Sequence, residues 1–95
     1  MLEQAKLVMK MKKLQKELTK EVIEVEAGDG AVVVTINGEQ KIKKIKIDPE
    51  QVDLEDIEEL ENWVEDAVKE AINKSQQVAA EKMKPVMGQL GNLGL

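Results

Sequence analysis

The chain is 95 residues long, with 35% charged residues and a formal net charge of −5. That length allows one domain at most. The chain contains no His, Cys, Tyr or Phe, which excludes Ser–His and Cys–His nucleophiles and the usual Cys/His zinc sites.

The predicted elements run as follows. Residues 3–20 read as a helix, with Leu7, Met11, Leu14 and Leu18 on one narrow stripe. Lys6, Lys10, Lys12, Lys13, Lys16 and Lys20 fall on the opposite arc. Residues 22–27 alternate as a strand, with Ile23, Val25 and Ala27 facing one way and Glu24 and Glu26 the other. Gly28-Asp29-Gly30 is a turn. Val32, Val33, Val34 and Ile36 form a β-branched run suited to a central strand. Asn37-Gly38 follows, and its tolerance of positive φ predicts a two-residue type I′ hairpin loop. Ile42, Ile45 and Ile47 alternate with lysines in a return strand, which Asp48-Pro49 stops. The alternation slips at Lys43-Lys44, so either a β-bulge sits there or Ile42 faces the other side. Asp53 is the expected N-cap of a second long helix, from about Leu54 to Lys84, ended by Pro85. Ile57, Leu60, Val64, Ala67, Val68, Ala71, Ile72, Val78 and Ala79 give it a broad apolar stripe. Residues 88–95 read as a disordered tail after a 1–87 domain. The fold class is α+β: α-β-β-β-α, with a three-stranded antiparallel meander and two long helices.

The core must come from aliphatic residues, because Trp63 is the sole aromatic. A chain this small, without disulfides, buries a limited share of its surface. A homodimer is the expected remedy. Trp63 borders the stripe of the second helix, which favours a core or dimer-contact role over base stacking. No metal, cofactor or catalytic residue is expected, and the protein reads as a non-enzyme. The acidic run from Asp53 to Glu61 lacks calcium-loop spacing. No signal peptide or membrane-length apolar stretch is visible, so a cytoplasmic location is expected.

The order of motifs resembles the YbaB/EbfC family of small bacterial nucleoid-associated proteins. The resemblance rests on Met9-Lys10-Met11-Lys12-Lys13, then Gly28-Asp29-Gly30, then Val32 to Gly38, then Ile45-Lys46-Ile47-Asp48-Pro49. It covers nearly the whole chain. It implies a nucleoid location and a homodimer that binds DNA with little sequence preference through projecting helices. The implied contacts map first onto Lys6, Lys10, Lys13, Lys16 and Lys20, with Lys12 beside them. Lys41, Lys43, Lys44 and Lys46 are secondary. The return strand has no Arg, unlike that of many relatives. A replication or recombination protein is a further partner left open.

The charge distribution supports this reading where the net charge does not. Residues 1–20 carry +4, 21–40 carry −5, 41–47 carry +4 and 48–95 carry −8. Phosphate responds to the local field within a Debye length, roughly 8 Å at physiological salt. A solvated helix face and an edge strand guarded by lysines would look the same in sequence. All fourteen basic residues are lysine. Without the Arg that reads guanine bidentately, phosphate neutralisation with weak base selectivity is the expected mode. The competing reading is a protein-interaction module whose Leu7–Leu18 stripe docks a partner helix.

Overall fold

A computed structural model describes residues 2–92. The elements are α1 (Leu2–Lys20), β1 (Ile23–Ala27), β2 (Val32–Ile36), β3 (Ile42–Ile47), a 3-10 turn (Pro49–Gln51) and α2 (Ile57–Asn92). The three strands form one antiparallel meander in sequence order, with β2 in the middle. This is the α+β arrangement expected from the sequence.

Register puts the apolar residues other than Val33 on one face. Ile23, Val25 and Ala27 stand opposite Ile36, Val34 and Val32. Across the next ladder Val32 meets Ile47, Val34 meets Ile45 and Ile36 meets Ile42. Thr35 pairs with Lys44 and Ile36 with Ile42, so Lys43 is an extra residue. The bulge is therefore real, and it returns Ile42 to the face of Ile45 and Ile47. The first half of α2 lies on this face over β1 and β2. Val25, Val32, Val34, Ile36, Ala67 and Ala71 are buried there, with Leu60, Trp63, Val64, Val68 and Ile72 packed around them. Trp63 thus has the core role.

The β1–β2 turn falls at Gly28-Asp29-Gly30 as expected, and the β2–β3 turn differs from expectation. Asn37 and Gly38 do not adopt positive φ; the left-handed residue of that loop is Gln40, at φ 64°. Asn37 N donates to Lys41 O at 3.0 Å, closing a three-residue loop, Gly38 to Gln40. Three-residue hairpin loops commonly end in such a left-handed residue. Asn37 is used for its side chain instead: Oδ1 accepts from Glu39 N and Lys41 N. Gly38 is needed for space, since a Cβ there would lie 2.8 Å from Leu18 Cδ2 and 3.0 Å from Leu18 O. The two-residue turn is in the other hairpin. Asp29 and Gly30 have φ of 54° and 88°, and Ala31 N donates to Gly28 O at 3.1 Å. Asp-Gly is a favoured pair for that primed turn.

The second helix also has shifted ends. Asp56, not Asp53, caps it, accepting from Glu59 N at 3.2 Å. Asp53 instead closes a turn ahead of the helix, its carboxylate accepting from Glu55 N. Pro85 lies inside α2 rather than ending it. A proline removes one backbone donor, and the exposed position lets water serve the carbonyl left over. At 36 residues α2 is about 54 Å long. The described part of the 88–95 segment, 88–92, continues this helix.

Two cores result. Beyond the sheet, α2 pairs with α1 through buried Leu14, Leu18 and Val86, with Leu7, Val78, Ala79 and Met83 around them. The radius of gyration is 18.2 Å, against about 12 Å for a compact chain of this length. The extents of 63 × 20 × 15 Å describe a sheet-bearing head and a two-helix arm.

Candidate nucleic-acid interface

Burial of Leu14 and Leu18 against α2 fixes which way α1 faces. At about 100° per residue, Lys12, Lys16, Lys20, Lys13, Lys6 and Lys10 then follow one another around roughly half the helix. All six are exposed. The arc is off-centre. One flank of the seam carries Lys6, Lys10 and Lys13, and the other carries uncharged Gln4, Val8, Gln15 and Thr19.

The α2 half of the arm adds lysines that block-by-block charge counting hid. Lys74, Lys82 and Lys84 lie in the part of α2 at or beyond the end of the sheet, with Glu81 the one acid among them. Lys82 lies 3.1 Å from Glu21 and 3.8 Å from Glu17. Exposed pairs of this kind contribute little stability. Their effect here is on charge, since they occupy acids that would otherwise offset the α1 lysines. Among the described residues, none of the ten sequence-predicted lysines is in an ion pair.

Charge is therefore sorted along the molecule. The arm, α1 together with α2 from Lys74 onward, holds nine lysines and three glutamates, a charge of +6. Residues 21–73 hold five lysines and sixteen acids, a charge of −11.

The strand lysines are not brought together with the helix lysines. Lys41 sits in the loop at the base of the arm, Lys43 is the bulged residue, and Lys44 and Lys46 point to the polar sheet face. Glu24 and Glu26 share that face two strands away, at about 10 Å. That separation is close to a Debye length, so the carboxylates weaken the field of Lys44 and Lys46.

Among the described residues, no group of His, Cys, Asp or Glu is placed to hold a metal ion. No helix there is long and apolar enough to cross a membrane.

The sequence model of the YbaB/EbfC DNA-binding family matches residues 1–90. The chain belongs to this family. Relatives agree with the match. A nucleoid-associated protein of Syntrophobacter fumaroxidans is 41% identical over 86 residues, covering 90% of this chain and 78% of that protein. One of Chloroflexus aurantiacus is 41% identical over 83 residues, covering 87% and 83%. One of Moorella thermoacetica is 42% identical over 78 residues, covering 82% and 75%. The crystal structure of an uncharacterized protein from Helicobacter pylori superposes with a TM-score of 0.69 over 81% of this chain and 89% of that one. At 18% identity it speaks for the YbaB/EbfC fold alone.

Proposed function

We propose that this YbaB/EbfC protein is a nucleoid-located, cytoplasmic, non-enzymatic homodimer that binds double-stranded DNA with little sequence preference, through lysine–phosphate contacts on the arm. The observation that carries this reading is the sorting of charge: +6 on a protruding two-helix arm, −11 on the head. An acidic protein approaches DNA by its cationic end, and repulsion of the head sets the orientation. Lys6, Lys10 and Lys13 are the primary contacts, with Lys12, Lys16 and Lys20 beside them. Lys41, Lys43, Lys44 and Lys46 are secondary. The test is a gel-shift titration of several unrelated duplexes between 50 and 200 mM salt. Similar affinities and a steep log–log salt slope are expected. Tight binding of one duplex alone, or a flat slope, would contradict the proposal.

The homodimer rests on the uncovered part of the sheet. α2 covers β1 and β2 but makes no contact with β3. Ile42, Ile45 and Ile47 are left 40%, 44% and 42% exposed on the same face, along an unpaired strand edge. A contiguous apolar row beside a packed core is what a partner subunit covers. In sedimentation equilibrium the protein should remain dimeric at micromolar concentration. Ile45→Lys should shift it towards monomer, and a folded wild-type monomer under those conditions would refute the dimer.

The competing interaction-module reading is not favoured. Leu14 and Leu18, the centre of the stripe it needs, are already buried against α2 of the same chain.

A further inference from the structure

The arm is joined to the head by a small buried polar cluster that the sequence did not announce. Ser75 is the only serine in the chain and is fully buried. Its Oγ donates to Asn37 O at 2.7 Å and accepts from Gln40 N at 2.9 Å. Serine is a poor choice inside a helix where alanine would fit, so these two bonds are the reason for it. Asn37, 1% exposed, accepts through Oδ1 from Glu39 N and Lys41 N. Its Nδ2 donates to Thr19 O at 3.4 Å. Gly38 N donates to Leu18 O at 2.8 Å.

These bonds meet a particular need. The last carbonyls of a helix have no partner within it. At the end of α1, Thr19 O accepts from Asn37 of the β2–β3 loop, Leu18 O accepts from Gly38 N as well as from Glu21 N at 3.3 Å, and Ser75 holds that loop onto α2. One loop thus caps one arm helix while fastened to the other.

Apolar packing of Leu14, Leu18 and Val86 sets the face that α1 turns to α2, but it leaves a gap beside the joint. A half-open pocket of about 380 Å³ lies against the joint, lined by Met11, Leu14, Leu18, Ala79 and Met83 with the loop at its rim. Methionine side chains are adaptable and specify geometry weakly. Directional hydrogen bonds add an angular restraint to the packing that is present there.

We infer that Ser75 and Asn37 are positioning residues for DNA binding: they hold the lysine-bearing helix α1 at one angle to the head without touching DNA. This inference rests on the proposed DNA-binding role of the arm. Its signature separates it from a contact role. A lost phosphate contact makes the salt slope shallower. A lost arm position leaves the same contacts in the bound state, so the slope is kept while affinity falls with the fraction of molecules that are competent. If that fraction drops to about a tenth, apparent affinity drops about tenfold.

The experiment uses the full chain, in which the lack of native cysteine makes labelling clean. Spin labels on Gln4→Cys in the arm and Glu61→Cys in the head, diluted into unlabelled protein, report arm position as a distance distribution. Ser75→Ala should broaden that distribution, weaken binding to every duplex about tenfold and leave the salt slope unchanged. Asn37→Asp is the second variant. Its carboxylate can still accept from Glu39 and Lys41, but it turns the donation to Thr19 O into a repulsion and buries a charge, so it should broaden the distribution further, and Ser75→Ala is the milder variant that decides the matter if Asn37→Asp fails to fold. An unbroadened distribution, or a broadened one with wild-type affinity, overturns the inference. Failure of the DNA-binding reading looks different: the wild type itself would then show no steep salt dependence.

Discussion

Replacing Lys6, Lys10 and Lys13 together by Gln should weaken binding to every duplex by a similar factor, about a hundredfold or more at 50 mM salt, with a shallower salt slope. Glutamine keeps helix propensity close to that of lysine. None of the three is in an ion pair among the described residues, so the variant should stay folded and dimeric. The magnitude comes from counterion release, at about −0.9 in log–log slope for each phosphate neutralised. Three lysines in each of two subunits give a wild-type slope near −5, and about a thousandfold loss between 50 and 200 mM salt. Undiminished binding would move the site to Lys74, Lys82 and Lys84 on the other arm helix, or to the strand lysines. Loss for one sequence only would mean base readout, which a chain without arginine is poorly equipped to perform.

The candidate site was legible in sequence to the extent that it lies on one periodic element. The seam of α1 defines its lysine arc from periodicity alone, and the six lysines of that arc are exposed. Lys74, Lys82 and Lys84 were not legible in the same way. They share a continuous helix with the acidic turns around Glu58 to Asp66, and a charge sum over that helix cancels them. Only the knowledge that α2 leaves the sheet near Ser75 separates its acidic half from its basic half. That crossing is tertiary information, set by where the Asn37–Lys41 loop meets the helix.

The strands were equally readable, because side-chain parity is a local property of the chain; at Lys43-Lys44 parity left a bulge and a reversed Ile42 both open, and the ladder partners decide for the bulge. The β2–β3 turn was not readable in this way. Asn37-Gly38 carries the composition of a primed two-residue loop, yet its asparagine is committed to backbone donors at Glu39 and Lys41 and its glycine to the close approach of Leu18. The same residue types served packing and capping rather than φ. Pro85 misled for a related reason. A proline inside a helix removes one bond and crowds the carbonyl four residues back, and here burial of Val86 directly after it offsets part of that cost.

Gly28 is where both uses of glycine coincide, and it should be among the least replaceable residues of the head. Its φ is +63°, and a Cβ there would lie 2.5 Å from Cδ2 and 2.6 Å from Cε2 of Trp63. Gly28→Ala should therefore destabilise twice over. The left-handed backbone costs about 1 kcal/mol or more, and displacing a ring packed on the core adds about 1–3 kcal/mol. A total near 3 kcal/mol is a large part of the stability of a small domain. Asparagine, which tolerates left-handed φ, should not rescue the site, because its Cβ meets the same ring. The two contributions separate in a double-mutant cycle with Trp63→Leu, which removes the ring atoms in question. In that background Gly28→Ala should cost only the backbone part, about 1 kcal/mol, leaving a coupling of about 2 kcal/mol. Urea melts followed by circular dichroism measure all four species, since the only aromatic reporter is lost with Trp63. Strict additivity would show that the turn and the indole are independent. The head would then depend on Gly28 for its backbone angle alone.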